Sequence, residues 1–192
     1  TLVHLGTLYE IWDPYDLFAG IAAWLERRPT VRRDVVVRFV GQPGQRSLAR
    51  LEALGLGDVV EVTGYLDHAD AIARCREADA LLLALGAGAG VPAGWLPSKL
   101  FEYVAFDRPI LANVPDGEAR RLIEGAGAGF CVGNAEPAAY VPILDDLLGR
   151  KRDAADGRLA WTNRSEAVAR LTQRHLGAQF ATLLDAVRRP RA

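Results

Sequence analysis

Residues 80–103 read ALLLALGAGAGVPAGWLPSKLFEY and contain, in order, a strand, a loop and the start of a helix. The first six residues are continuously apolar, as in a parallel strand that is buried on both faces. The glycines and prolines that follow favour a loop over a membrane span, although the uncharged stretch 80–98 is long enough for one. Pro97 stops any earlier helical turn and Ser98 suits an N-cap, so a helix should begin here.

The same unit of apolar run and amphipathic stretch recurs on both sides of this segment. The predicted strands are 2–5, 35–40, 59–63, 80–85, 109–113 and 129–132. The predicted helices are 14–27, 46–55, 68–78, 98–106, 117–125 and 136–149. Six β-α units in succession predict an α/β fold, a doubly wound, Rossmann-like parallel sheet in the order 3-2-1-4-5-6. Its ligands should bind at the carboxyl ends of the strands, beside the switch between strands 1 and 4.

The pattern changes after Arg150, which predicts one domain over 1–150 and a separate segment over 151–192. Residues 151–158 are charged and indicate a linker, and helices should follow near 162–175 and 177–189. The last helix has an apolar stripe that should pack on the domain or on a neighbouring domain outside this chain. The stripe consists of Leu176, Phe180, Leu183, Leu184 and Val187.

Composition limits the classes of function. The 192 residues are 50% hydrophobic and 24% charged, which is typical of a soluble globular protein. The 23 basic and 24 acidic residues nearly cancel, so no overall field favours nucleic acid or an anionic membrane. Cys75 and Cys131 form no C-x-x-C pair, which argues against a metal site and a disulfide framework. The chain has no Met and opens at Thr1 on an apolar run, so we expect a piece of a longer protein.

Two common nucleotide motifs are missing from the sequence. A dinucleotide fingerprint that starts at Gly86 would need glycine where Val91 stands, and one that starts at Gly125 would need glycine where Phe130 stands. No G-x-x-x-x-G-K-[ST] motif occurs either. The sequence therefore disfavours an NAD-type Rossmann domain and a P-loop NTPase.

Lys99 and Glu102 are the clearest candidates for ligand contacts. A cation in the first turn of a helix is unfavourable by roughly 0.3–1 kcal/mol unless an anion occupies the same end. Lys99, the Ser98 hydroxyl and free backbone N–H groups could therefore hold a phosphate. Glu102, on the same helical face, could accept both hydroxyls of a ribose. A solvated Lys–Glu pair would show the same spacing, so both interpretations stay open.

Three segments carry a resemblance to a known family: PSKLFEYVA at 97–105, RPILA at 108–112 and IEGAGAG at 123–129. Together they resemble the C-terminal, donor-binding domain of GT-B glycosyltransferases of group 1, also called family 4. Supporting matches span most of the chain and lie at 6–9 before 13–14, at 39–41, at 62–68 and at 78–82.

The resemblance implies a cleft for a nucleotide-diphospho-sugar and a retaining sugar transfer. Glu102 matches the residue that holds the ribose hydroxyls, and Ser98 and Lys99 match the helix start that faces the diphosphate. The nucleotide-sugar-binding residues expected on the neighbouring loops are Gly6, Thr7, Gly64, Tyr65 and Leu66. The Gly64–Leu66 loop matches the segment that encloses the base, and no catalytic residue is assigned in this half.

The same resemblance implies partners and conditions. The donor would be a UDP-, GDP- or dTDP-sugar, and no metal or other cofactor would be needed, because helix dipole and side-chain cations stabilise the departing diphosphate. A sugar, lipid-linked or small-molecule acceptor would be held by a missing N-terminal domain. The protein would be cytoplasmic, or peripheral to a membrane through that missing domain, and nucleic acid is not an expected partner.

The sequence departs from the family pattern at two places. Gly94 stands where an acidic residue usually contacts the donor sugar. Residues 7–14 contain Glu10 and Asp13, with Trp12 at a position where arginine is common. Lys99 would then be the main cation on the diphosphate, unless Arg46 or Arg108 substitutes for the missing charge.

Two alternatives therefore accompany the transferase: a non-catalytic nucleotide-sugar-binding module, and a nucleotide-sugar epimerase of similar architecture. A second domain before Thr1 would favour the transferase. Of the histidines, His4 is expected to be a satisfied strand residue that could reach the switch point. His68 is expected to lie at a helix start that Asp67 caps.

Overall fold

All six strands lie in one parallel sheet, in the order β3-β2-β1-β4-β5-β6. The structure is a computed structural model and describes residues 1–9, 14–86, 92–133, 137–170 and 173–188. Its strands are β1 (Leu2–Leu5), β2 (Val37–Val40), β3 (Val60–Gly64), β4 (Ala80–Ala84), β5 (Ile110–Asn113) and β6 (Gly129–Val132). The predicted strand order and the doubly wound fold are confirmed.

Helices connect consecutive strands and cover both faces of the sheet. They are α1 (Tyr15–Arg27), α2 (Gln45–Ala53), α3 (His68–Glu77), α4 (Ser98–Tyr103), α5 (Glu118–Gly125), α6 (Tyr140–Asp153), α7 (Ser165–Ala169) and α8 (Gln173–Arg188). Helix α4 ends three residues before the predicted bound of 106. Helix α6 extends to Asp153, so the first residues of the predicted linker are helical. The basic last turn of α6, which contains Arg150, Lys151 and Arg152, suits the negative end of the helix dipole.

Strand β4 separates two apolar clusters, one on each face of the sheet. Every residue of Ala80–Ala84 is buried, and alternate residues face opposite clusters. Leu82 packs with residues of α1 and α6, whereas Leu81 and Leu83 pack with residues of α3, α4 and α5. Because both faces of the strand are covered, its sequence is continuously apolar rather than alternating.

The segment after α6 is attached to the sheet by a few buried groups. Leu159 is buried in the cluster with α1 and α6, and Trp161 packs against it. Asn163 is also buried, and its Nδ2 donates to the carbonyls of Val104 and Phe106, at 2.8 and 3.3 Å. Part of the predicted 151–192 segment therefore packs on the domain.

The apolar stripe of α8 does not pack on the domain as predicted. Its five side chains are between 44% and 77% exposed. They are Leu176, Phe180, Leu183, Leu184 and Val187. Packing on a neighbouring domain outside this chain stays a prediction. Among the helices in the described ranges, none is both long and apolar enough to cross a membrane.

Candidate functional site

Strands β1 and β4 separate toward their carboxyl ends and leave a crevice between them. Their ladder pairs Leu2 with Ala80 and Val3 with Leu81 and goes no further. By contrast, β1 stays paired with β2 up to Leu5, and β4 stays paired with β5 up to Ala84. The opening lies where the strand order reverses, which is the predicted place for a ligand.

Tyr103 of α4 hydrogen-bonds to backbone groups that the separation leaves without a strand partner. Its Oη accepts from the Leu5 N–H at 2.8 Å and donates to the Leu82 carbonyl at 3.3 Å. The ring is fully buried, and this burial raises the pKa of the phenol well above its ordinary value. A neutral hydroxyl thus satisfies both strands at once, since buried backbone groups require partners.

His4 on β1 is the second buried side chain in the crevice. It is 1% exposed, and its Nδ1 lies 3.1 Å from the Leu82 carbonyl oxygen. Because a carbonyl oxygen only accepts, Nδ1 carries the hydrogen and Nε2 is left with its lone pair. Burial, assisted by the charge of Lys99, lowers the pKa of His4 to about 3. The imidazole is therefore neutral near pH 7 and is a satisfied strand histidine, as the sequence predicted.

Lys99 brings the positive charge of α4 to the same place. Its Nζ lies 3.3 Å from His4 Nε2, and a Cβ placed on Gly6 would lie 3.7 Å from that nitrogen. The side chain is half-buried, and its desolvation lowers the pKa of Lys99 to about 8, although the charge of Glu102 opposes this shift. The ammonium is thus held at the carboxyl end of β1, beside the crevice.

Ser98 begins α4 but does not cap it, so the predicted N-cap is wrong. The N-cap position belongs to Pro97, whose φ of −69° and ψ of 141° are extended, and no side-chain cap hydrogen bond is present. Proline is compatible with this position because it needs no donor at a helix start. Ser98 is one residue further along, with an exposed side chain next to Lys99.

Glu102 lies one turn after Lys99 and is only partly exposed. Within the part of the chain that the structure describes, its carboxylate makes no hydrogen bond or ion pair. Lys99 instead directs its ammonium to His4, so the solvated Lys–Glu pair is not formed. The Glu102 carboxylate is thereby left available to a ligand near the crevice.

The loops after β1 and β3 meet through two of the predicted residues. Tyr65 is 77% exposed, and its Oη lies 3.3 Å from Thr7 Oγ1. Gly64 ends β3 with a φ of 70°, and the next two side chains, Tyr65 and Leu66, are exposed. The exposed Tyr65 ring thus lies beside the loop that follows β1.

A close glycine contact lets these strand ends approach one another. Gly41, directly after β2, has a φ of 131°, and a Cβ at this position would lie 2.6 Å from the Gly6 carbonyl oxygen. Gly41 also forms an isolated bridge with Gly64. Any larger residue at 41 would therefore push the ends of β1 and β2 apart.

Of the positions at which the sequence departs from the family pattern, the structure describes Gly94 but not residues 10–13. Gly94 is exposed, and a Cβ at this position would meet no atom of the described residues within 4 Å. Glu10, Trp12 and Asp13 lie outside the described residues.

Arg108 precedes β5 and therefore lies at the amino ends of the strands, opposite the crevice. Its guanidinium donates to the carbonyls of Arg76 and Leu159, at 3.1 and 3.0 Å. The suggestion that Arg108 contacts the diphosphate is thus wrong. Arg46, exposed in the first turn of α2 after the carboxyl end of β2, stays a candidate.

Two further predictions concern His68 and metal binding. His68 is the exposed first residue of α3, and Asp67 Oδ1 accepts from the Asp70 N–H at 2.9 Å, which confirms the predicted cap. Within the ranges that the structure describes, no three His, Cys, Asp or Glu side chains are grouped so that they could hold a metal ion. Metal independence stays a prediction.

Sequence reasoning missed Tyr103 and Asn113. Tyr103 follows Lys99 by four residues, so it lies on the same helical face, which was the available signal. Asn113 is a polar residue at the end of the apolar strand β5, and it is 2% exposed. Its Nδ2 donates to Tyr140 Oη at 2.9 Å. This hydrogen bond links the carboxyl end of β5 to α6.

Comparison with known proteins identifies the family. The family model for group 1 glycosyl transferases matches residues 1–150, and the chain belongs to this family. A D-inositol 3-phosphate glycosyltransferase from Streptomyces avermitilis is 28% identical over 150 residues, which are 74% of this chain and 31% of that protein. The chain therefore spans about a third of the length of this curated relative.

Solved structures share the fold. HepE from Anabaena, in complex with UDP and glucose, has a TM-score of 0.68 at 18% identity and matches 96% of this chain and 48% of its own. The C-terminal domain of LpcC, a group 1 family protein from Francisella tularensis, has a TM-score of 0.56 at 14% identity, covering 88% of this chain and 83% of its own. These likenesses place the sheet in the Rossmann-like GT-B fold.

Proposed function

We propose that this chain is the donor-binding half of a retaining glycosyltransferase that uses a nucleotide-diphospho-sugar. The observation that carries the proposal is the arrangement at the β1–β4 crevice. There, the Lys99 ammonium lies beside Gly6, and the Glu102 carboxylate, one turn away, has no hydrogen-bond or ion-pair partner among the residues that the structure describes. A cation and a free carboxylate at this separation suit the diphosphate and the ribose of one ligand.

The comparisons support a nucleotide-sugar donor. The similar structure of HepE contains UDP and glucose, and the similar LpcC structure is the C-terminal domain of a group 1 protein. Family membership also favours sugar transfer over epimerisation. The base would lie against the Gly64–Leu66 loop, where Tyr65 is exposed and contacts Thr7.

The chemical contribution of these residues is electrostatic. When the bond between the sugar and the diphosphate breaks, negative charge grows on the departing group. An ammonium in a partly desolvated crevice stabilises this charge more strongly than one in open water. Lys99 supplies that charge, Ser98 adds a hydroxyl donor, and Glu102 orients the nucleoside through its ribose. No metal ion is needed for this stabilisation.

Binding measurements with two variants test the assignment. Lys99→Ala should remove a charge-assisted contact of about 1.5–3 kcal/mol and weaken UDP far more than uridine. Glu102→Ala should weaken UDP but have less effect on 2′-deoxy-UDP, which already lacks one of the two hydroxyls. Calorimetric titration of each variant with UDP, uridine and 2′-deoxy-UDP gives the comparison. GDP and dTDP, titrated in parallel, identify the preferred base.

Matched controls lie near the amino ends of the strands, away from the crevice. Lys151→Ala removes the other lysine of the chain, which is paired with Asp79 at 2.7 Å. Glu77→Ala removes an exposed carboxylate at the end of α3. Neither should change nucleotide binding. Equal losses for all three ligands in the Lys99 and Glu102 variants would contradict the assignment.

The open space at Gly94 favours a second candidate, a non-catalytic nucleotide-sugar-binding module. A module of this kind would keep the nucleotide contacts and lack the acidic contact to the donor sugar. The full-length protein separates the two candidates. Transfer of sugar from the preferred donor, with an NMR assignment of the product anomer as retained, supports the transferase. Tight donor binding without transfer supports the module.

A further inference from the structure

His4 is buried at the crevice and has no part in the donor contacts described above. Both ring nitrogens are nevertheless engaged, Nδ1 with the Leu82 carbonyl and Nε2 with Lys99 Nζ. Burial of an imidazole costs free energy that an apolar residue of the same volume would avoid, so a histidine at this position needs partners for both of its ring nitrogens. The second contact therefore calls for an explanation.

The contact determines where the Lys99 ammonium lies. Lysine carries its charge on a flexible four-carbon chain, which can adopt many directions. Three groups face this ammonium: the His4 imidazole on β1, the Glu102 carboxylate on its own helix, and the Cys75 thiol on α3. Burial raises the pKa of Cys75 to about 11, so the thiol is neutral near pH 7. Nζ lies within hydrogen-bonding distance of His4 Nε2, and the His4 ring is also held through the contact of Nδ1 with the Leu82 carbonyl.

We propose that His4 is a positioning residue whose Nε2 accepts from the Lys99 ammonium and holds it beside Gly6, where it meets the diphosphate of the donor. This inference rests on the proposed function, because the diphosphate is the ligand assigned to Lys99. The tautomer is essential to the role. The Leu82 carbonyl fixes the hydrogen on Nδ1. The neutral ring can therefore accept a hydrogen bond at Nε2 from the Lys99 ammonium without repelling its charge.

The pKa of Lys99 provides a readout that a purely structural role would not affect. Because this pKa is lowered to about 8, part of the ammonium is deprotonated at mildly alkaline pH. A bound diphosphate favours the charged form, so binding should take up protons. Affinity for UDP should thus fall as the pH rises from 7 to 9, and the enthalpy of binding at pH 8 should depend on the ionisation enthalpy of the buffer.

Two amide variants of His4 separate its two contacts. His4→Asn keeps a donor close to the Leu82 carbonyl and removes the acceptor for Lys99. His4→Gln keeps an acceptor within reach of Lys99 and removes the donor to Leu82. We expect His4→Asn to weaken UDP and pyrophosphate by about three- to thirtyfold and to leave uridine unchanged, with His4→Gln closer to the wild type. Thermal melting checks that both variants fold.

A double-mutant comparison tests whether His4 acts through Lys99. In a Lys99→Ala background, His4→Asn should cause no further loss of UDP affinity. An equal loss in both backgrounds, or a loss for uridine as large as for UDP, overturns the positioning role and leaves the proposed function intact. If Lys99→Ala itself has no effect on UDP or pyrophosphate, both the proposed function and this inference fail.

A measurement without ligand completes the test. The chain has two lysines, so labelling lysine with 13C at Cε gives two signals, and Lys151 is an internal reference. In His4→Asn the titration midpoint of the Lys99 signal should move, in His4→Gln it should return toward the wild-type value, and the Lys151 signal should stay unchanged. An unchanged Lys99 midpoint in His4→Asn overturns the inference, whatever the nucleotide titrations show.

Discussion

At the scale of single residues, burial sets the ionisation of the two nitrogenous side chains in the crevice. Desolvation is the main cause of the lowered pKa of both His4 and Lys99, and Lys99 Nζ lies 3.3 Å from His4 Nε2. The result is a neutral acceptor next to a cation that loses its proton more readily than an exposed lysine. Both features have consequences for stability that can be measured.

His4 should contribute to destabilisation in acid. Its pKa is lowered from 6.5 to about 3 in the folded chain, so only the unfolded chain takes up this proton between those values. Stability should therefore fall by up to about 1.4 kcal/mol for each pH unit below 6.5 on account of this group. Urea unfolding between pH 4 and pH 7 should show a shallower dependence in His4→Asn. The exposed control His68→Asn should keep the wild-type slope.

Lys99 should reduce stability near neutral pH. Its folded pKa, about 8, lies below the ordinary value of 10.5, so the folded chain holds this proton less tightly than the unfolded one. The free energy of unfolding of Lys99→Met, relative to the wild type, should be about 1–2 kcal/mol higher at pH 7 than near pH 10.5, after allowance for partial exposure.

A control for this effect is Lys151→Met, which breaks the ion pair with Asp79 and should not stabilise the protein. Urea unfolding of both variants at pH 7 and pH 10 makes the comparison. A stabilisation by Lys99→Met that is the same at the two pH values would contradict the pKa assigned to Lys99.

At the scale of elements, the separation of β1 from β4 opens the crevice but also leaves buried backbone groups without strand partners. Backbone groups of Leu5 and Leu82 lose the partners that a continued ladder would provide. Helix α4 restores them through Tyr103 and at the same time places Lys99 one turn earlier in the crevice. The same short helix thus closes the core and carries the residues that we propose to bind the ligand.

Tyr103→Phe tests this role of α4. The substitution leaves the buried Leu5 N–H without an acceptor, which should lower the free energy of unfolding by about 1–3 kcal/mol. The exposed control Tyr9→Phe should have an effect below about 0.5 kcal/mol. Chemical denaturation measures both. Equal stability of the Tyr103 and Tyr9 variants would show that the Leu5 contact is not needed.

At the scale of the whole molecule, the residues assigned to the donor lie at the carboxyl ends of the strands. Arg108 and Lys151 lie toward the amino ends. The chain covers 31% of its curated relative and 48% of HepE, so more than half of each of those proteins lies outside the match. If the proposed function holds, the acceptor and the proton-transfer group would come from another domain, and transfer would require both to be brought to the donor.

Residues 1–192 alone should therefore bind a nucleoside diphosphate weakly and transfer no sugar. Calorimetry measures the first property, and product detection after prolonged incubation with UDP-glucose, GDP-glucose or dTDP-glucose and simple acceptors measures the second. Multiple-turnover transfer by this chain alone would contradict the assignment of the acceptor and the proton-transfer group to another domain.

The strand order, the strand bounds to within two residues and the family motifs around Lys99 and Glu102 could all be predicted from the amino-acid sequence. These features depend on local periodicity, glycine positions and short-range spacing, all of which can be recognised along the chain. Asp67 at the start of α3 is a cap of the same local kind.

The contacts of Lys99 and the exposure of the α8 stripe follow from the packing of the folded chain and could not be predicted from local sequence. His4 and Lys99 are 95 positions apart, and their contact exists because β1 and β4 separate while α4 crosses the gap. The exposure of the α8 stripe and the position of Arg108 at the amino ends of the strands likewise depend on where the elements lie relative to one another. Local spacing determines which side chains share a face, but only the packed chain determines what that face meets.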